Sequence, residues 1–179
     1  RNEGIDKTHN PEFLQMETMW AYANYKENME LFEEMIEYIA KKVLKATKID
    51  YQGKKLDFKR PWKRLSMLQA VKKYTDYDFD KLNLEEAKKI ARKLNLEIND
   101  DISFGNILNL IFEEKVESNL IQPTLIYDYP VENSPLAKIG KDKRFAERFE
   151  PFINGWELGN VYSELNDPEI LKANWKLQE

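Results

Sequence analysis

Cysteine is absent from the 179 residues, and histidine occurs once, at His9. The first absence excludes disulfides, thiolate metal sites and cysteine nucleophiles together, so any catalysis here must use other groups. It also fits a reducing compartment, and a cytoplasmic setting is expected. No run of eighteen apolar residues occurs, which excludes a conventional membrane-spanning helix within this sequence. Positive charge is in short supply: 28 Lys and Arg stand against 32 Asp and Glu, for a net charge of -4. That balance argues against a general polyanion binder, whose affinity comes from neutralising phosphates. Repeats and low-complexity tracts are missing as well. What remains is 42% apolar residues with four Trp and nine Phe, enough for one globular core or a large portion of one.

Local charge is less even than the total. Lys54, Lys55, Lys59, Arg60, Lys63 and Arg64 form the densest basic cluster. It reads either as a solvated turn and helix start or as a local nucleic-acid contact.

The hydrophobic pattern divides the chain into strand-rich ends and a helical middle, an α+β arrangement. Residues 12–22 read as an extended segment after the polar turn GIDKTHNP, because Pro11 biases Asn10 away from helix. Arg1 to Gly4 would end a preceding strand. From about Asn24 to Ala46, Phe32, Met35, Ile36, Ile39 and Val43 recur at helical spacing. KIDYQGKKLDF alternates around Gln52-Gly53 and predicts a hairpin. Helices follow near 66–75, 84–94 and 104–117, with caps at Ser66, Asn83 and Ser103. The chain is accordingly divided into a first core segment at 1–65, a helical insertion at 66–120 and a second core segment at 121–179. In the second core segment PTLIYDYP is a strand, VENSPLAKIGKDKR a loop, and RFEPFINGWELGNVYSELND two strands joined at Asn154-Gly155. A short helix starts at about Pro168.

That last hairpin carries a definite geometry. With Asn154 and Gly155 as the turn, Phe152 lies opposite Glu157, and Glu150 shares their face. On the outgoing strand Asn160, Tyr162 and Glu164 alternate onto one face. Two close carboxylates repel unless a cation sits between them. They are therefore either ligands for a divalent ion such as Mg2+, or surface glutamates paired with Arg148 or a lysine. At the other end of the chain, Arg1 offers a forked donor for a phosphate or carboxylate, Glu3 shares its face, Phe13 can stack on a flat ring and His9 can reach a phosphate. Each also has a plain structural explanation as an exposed terminal or loop residue.

Taken together, the two ends resemble a known family. RNEG followed by THNPEF and AYANY resembles motif 2 of class II lysyl-tRNA synthetases; LIQPT, SPLAK and RFEPFINGWELGNVYSELNDP resemble the later catalytic segment of the same enzymes. The resemblance covers nearly the whole chain in order, helical insertion included. It implies an antiparallel sheet flanked by helices, in an incomplete catalytic domain running from motif 2 to just before motif 3. It implies that Arg1 holds the α-phosphate and the amino-acid carboxylate as the catalytic residue, and that Glu3, His9 and Phe13 bind ATP. Glu150 and Glu157 would bind Mg2+; Glu17, Asn160, Tyr162 and Glu164 would line a lysine pocket. The implied reaction is lysine activation by ATP, then transfer to tRNA(Lys), in a homodimeric parent protein with no membrane association. It works by positioning and charge stabilisation and needs no side-chain nucleophile.

The resemblance brings one structural demand and two departures. Glu157 and Asn160 must share a face, yet residues three apart on a regular strand do not. An irregularity over Leu158 to Asn160, with Gly159 as the natural place, is therefore predicted. The family's tyrosine two positions after Glu17 is here Met19, followed by Trp20, and methionine makes no strong hydrogen bond. Motif 1 and the arginine of motif 3 lie outside this sequence, so the segment alone is expected to be inactive. Two other readings stay open: a non-catalytic synthetase-like fragment or regulatory amino-acid-binding protein, and a paralogue that ligates lysine to a protein.

Overall fold

The computed structural model describes residues 4–5 and 9–176; Arg1 and Glu3 lie outside the described residues. The described chain is α+β. In chain order it comprises α1 (Tyr25–Ile39), β1 (Lys48–Tyr51), β2 (Lys54–Asp57), β3 (Lys63–Ser66), α2 (Met67–Thr75), α3 (Leu84–Lys93), α4 (Phe104–Lys115), β4 (Thr124–Pro130), β5 (Phe145–Ile153), β6 (Trp156–Glu157), β7 (Val161–Tyr162) and α5 (Pro168–Lys176).

The helix starts follow the capping chemistry in the sequence. Asn24, Ser66 and Asn83 each accept a bond from the backbone three positions into the helix, and the Glu or Gln there bonds back. Ser103 caps α4 on one side only. Gln52-Gly53 and Asn154-Gly155 turn with positive φ at both central residues, the primed geometry that matches strand twist.

The main sheet has the order β3-β4-β5-β6, with β7 also pairing β5. It departs from the antiparallel expectation at one pair, since β3 runs parallel to β4. Parallel neighbours need a long crossover, and the helices α2 to α4 supply it. The two faces of the sheet carry different cores. Ile126, Tyr129, Phe145 and Phe152 pack against Met67, Val71, Ile107, Ile111 and Phe112 of the helical stretch. Leu125, Phe149 and Ile153 face Tyr25 and Met29 of α1, with Leu56 and Trp62.

Strand alternation explains most of that division, but Ile126 and Tyr129 are three apart and still share a core. The register of β4 against β5 shifts between Tyr127 and Tyr129, and Asp128 there takes φ 59°. This irregularity turns the Tyr129 ring to the helical side.

The long helix also differs from its sequence pattern. It gives way to a π-helical turn over Ala40–Leu44, and Ile39 and Val43 are exposed. Its buried face instead includes Glu33 and Glu37 beside Tyr25 and Met29. These acids are tolerated because arginines from the basic cluster meet them: Arg64 lies 2.9 Å from Glu33, and Arg60 lies 3.3 Å from Glu37 and 3.0 Å from Glu34. Two members of that cluster are therefore engaged in internal ion pairs. Arg64→Ala leaves Glu33 buried without its partner, and a loss of about 2 kcal/mol is expected after allowing for the partial exposure of Arg64. Urea unfolding checks this; a loss no larger than that from breaking the exposed Lys72–Asp78 pair would count against it.

Residues 13–20 are not in any strand ladder among the described residues. The expected extended segment therefore pairs with no strand there, and it ends in a turn at Ala21–Tyr22, where Tyr22 takes φ 64°.

Candidate active site

The site is built around the β5–β6 hairpin. Phe152 pairs with Glu157 and Ile153 with Trp156, as the turn dictates. Further along, Phe149 pairs with Val161 and Arg148 with Tyr162. From Phe152 back to Phe149 β5 advances three residues, while the returning chain advances four, from Glu157 to Val161. One extra residue is accommodated across Leu158 to Asn160, the predicted irregularity. Gly159 is not required by sterics: a Cβ there meets nothing nearer than 3.9 Å, and its φ is not positive.

The hairpin tip is anchored to the end of the helical stretch. The N–H groups of Asn154 and Gly155 donate to the carbonyls of Ile121 and Leu120, each at 2.9 Å. Gly155 carries positive φ, and a Cβ added there would lie 3.3 Å from Ser118 Cα. This close approach brings Glu117 toward the sheet carboxylates. A cavity of about 290 Å³ results, lined by Glu113 and Glu117 on one side and by Tyr129, Arg148, Glu150 and Glu157 on the other.

Glu150 is buried, and both of its oxygens are held. The Tyr129 hydroxyl donates to Oε2 at 2.6 Å, and Arg148 Nη2 donates to Oε1. Burial raises the Glu150 carboxyl to about 7; the Arg148 charge opposes this and the Glu157 charge adds to it. Glu157 is also raised, first by burial and further by Glu117, with Arg148 and His9 opposing. Arg148 thus pairs with Glu150, one of the two alternatives left open by the sequence, and Glu113, Glu117 and Glu157 line the same cavity.

A second group lies beyond Arg148. Its Nε donates to Asn160 Oδ1 at 2.9 Å. Tyr162 is raised by burial and then by the charges of Glu164 and Glu17. Glu164 bridges to Ala137 of the SPLAK segment, and the Ser163 hydroxyl accepts the Tyr25 N–H at the start of α1. Asn160 and Tyr162 are thus linked through Arg148, and the charges of Glu164 and Glu17 act on Tyr162. The His9 charge partly opposes the rise at Glu157. Phe13 is exposed and lines a separate groove with Asn10, Glu12 and Leu14, apart from the carboxylates. Met19 is exposed too.

The sequence profile of the tRNA synthetases class II (D, K and N) matches residues 1–179. The chain belongs to this family. Within it, the chain is 52% identical over 180 residues to a lysine–tRNA ligase of Moorella thermoacetica, covering 99% of this chain and 37% of that protein. It is 51% identical over 170 residues to a lysine–tRNA ligase of Thermoanaerobacter pseudethanolicus, covering 94% and 34%. With a lysine–tRNA ligase of Clostridium tetani it shares 48% over 180 residues, covering 98% and 36%. The chain thus spans little more than a third of these relatives. As a class II segment it has the expected helices and sheet, and no helix among the described residues is long and apolar enough to cross a membrane.

Several residues of the site were not singled out from the sequence. Glu113 and Glu117 are one helical turn apart, a visible spacing, but their approach to β5 depends on the hairpin anchor. Tyr129 reaches Glu150 only because of the irregularity at Asp128. Arg148 was legible as a neighbour of Glu150 by its two-residue spacing, though its contact with Asn160 was not.

Proposed function

We propose that this chain is the middle segment of the catalytic domain of a lysine–tRNA ligase, which joins lysine to AMP from ATP and passes it to tRNA(Lys). The observation that carries the reading is the juxtaposition, on one sheet face, of an over-negative carboxylate pair with a separate acidic pocket, bridged by Arg148. Identity of about half with lysine–tRNA ligases over nearly all of this chain supports it. The proposed division is core 1–65, helical insertion 66–120 and core 121–179, in a homodimeric, cytoplasmic parent.

In this reading Glu164 and Glu17 hold the lysine ammonium, Tyr162 packs its stem and Asn160 donates to its carboxylate. Arg1 holds the α-phosphate against that carboxylate, Glu3 and Phe13 take the adenine, and His9 meets the phosphates. A lysine carboxylate oxygen attacks the α-phosphorus, the bond to the bridging oxygen breaks, and pyrophosphate leaves. The terminal ribose hydroxyl of the tRNA then attacks the aminoacyl carbon, and AMP leaves. The hairpin's contribution is to hold charge in place, which costs little reorganisation during reaction.

Glu150 and Glu157 fit a hard divalent cation, since both are oxygen ligands raised by burial in a cavity with surplus negative charge. Mg2+ bound there would neutralise the pyrophosphate oxygens. The described residues hold no group of three acidic or imidazole ligands suited to a metal, so substrate phosphates must complete such a site.

The raised Glu150 predicts a metal-free pH dependence. Its carboxyl shifts from 4.5 to about 7 on folding. Below the lower value both states are protonated and nothing is lost. As pH rises through that window the unfolded state releases the proton first, and stability falls by on the order of 3 kcal/mol. Urea unfolding in a chelator from pH 5 to 8 should show this decline, and Glu150→Gln should flatten it. Parallel curves would contradict the assignment.

The reading is tested by incubating the full-length protein with radiolabelled lysine, ATP, Mg2+ and total tRNA. Base-labile label on tRNA supports it. Label in protein that survives base would point to the protein-ligase alternative, and no label to the non-catalytic one.

A further inference from the structure

We propose that Arg148 is a positioning residue that couples the nucleotide subsite to the amino-acid subsite by fixing which face of the Asn160 amide is presented to the substrate. The inference rests on the lysine-activation reading above.

Arg148 is largely buried, with 14% of its side chain exposed, and its donors are shared among separate elements. Nε–H donates to Asn160 Oδ1 at 2.9 Å; Nη1 donates to the Asn133 carbonyl at 2.6 Å and to Ser134 Oγ at 3.2 Å; Nη2 donates to Glu150. The guanidinium lies over the Tyr129 ring at 4.6 Å, and the hydroxyl of that same tyrosine holds the other Glu150 oxygen. The plane of the fork is therefore set from three sides.

Guanidinium can only donate. Asn160 must then turn its carbonyl oxygen toward Arg148, which leaves its NH2 facing away. An NH2 suits a carboxylate, which only accepts; the opposite flip would set oxygen against oxygen. The polarity of Asn160 thus depends on Arg148, and the plane of Arg148 depends on Glu150. Glu150 lines the cavity with Glu157, where the phosphates and their cation are placed. Occupancy of that cavity steadies the Glu150 carboxylate, hence the fork, hence the amide. A ligand that favours the ordered arrangement at one subsite lowers the cost of binding at the other.

The test is calorimetry of lysine binding to the full-length protein, with and without a non-hydrolysable ATP analogue plus Mg2+. In the unaltered protein the analogue should tighten lysine binding about 10-fold, within the usual range for coupled sites. Arg148→Lys keeps a charge beside Glu150 but cannot bond Asn160 and Glu150 in one plane. The variant should lose most of this enhancement. Tyr129→Phe, which retains the ring and removes only the hydroxyl, should lose some of it. A purely structural role would weaken lysine binding by the same factor in both conditions, and the enhancement would survive; that result overturns the inference. No enhancement in the unaltered protein would also overturn it. Failure of the unaltered protein to bind lysine at all would instead remove the functional reading, and this inference with it.

Discussion

Glutamine in place of Glu164 is expected to raise the lysine concentration needed for half-maximal activation by about 10²–10³-fold, while the ATP requirement changes little. The expectation follows from the surroundings of Tyr162. Its hydroxyl is raised by burial and by two carboxylates, Glu164 and Glu17, so negative charge is concentrated at that end of the pocket. An ammonium brought there replaces its hydration with ion pairs, and removing one partner of such a pair costs roughly 2–5 kcal/mol. Glutamine keeps the shape and removes the charge. The pocket should then discriminate less between lysine and norleucine, an uncharged analogue that lacks the terminal amine. Steady-state pyrophosphate exchange with both amino acids measures this; a change below threefold in the lysine requirement would exclude Glu164 as the ammonium partner. Glu17→Gln should act in the same direction and by less, because it is the weaker of the two influences on Tyr162.

Glu157→Gln should reduce lysine-dependent exchange by about 10²–10³-fold and raise the Mg2+ concentration required. Glu157 stands opposite Phe152 on the face that carries Glu150, at the edge of the acidic cavity. An amide is a neutral and weaker ligand for a hard cation than a carboxylate. Loss of a preorganised charge at a developing pyrophosphate carries a penalty of this order, by comparison with the removal of single oxyanion donors. The direct check is binding of Mn2+ with the ATP analogue, read by its electron paramagnetic signal. Unchanged Mn2+ binding in Glu157→Gln would place the cation elsewhere.

The sequence carried a good deal of this arrangement because the relevant signals are local. Helix starts at Ser66, Asn83 and Ser103 and turns at Gln52-Gly53 and Asn154-Gly155 depend on a few adjacent residues, and each occurs where its chemistry places it. The irregularity before Val161 could be anticipated because two site residues three apart had to share a face. Other features were hidden because they depend on distant partners. Glu33 and Glu37 look solvated on a helical wheel until Arg64 and Arg60 fold over them. The parallel β3–β4 pair is invisible until the helical crossover is known. Tyr129 would be assigned to the wrong side of β4 without the backbone turn at Asp128. The segment carrying Phe13 and Glu17 has no ladder partner among the described residues, and the Glu17 charge acts on Tyr162 from a distance in sequence that no local signal reveals.

Amino-acid-dependent ATP–pyrophosphate exchange by the full-length protein, assayed with Mg2+ across all twenty amino acids, tests the central claim most directly. Exchange with lysine alone is the predicted result, and it would show that Met19 is compatible with lysine selection. Exchange with a different amino acid, or with none, would contradict the account.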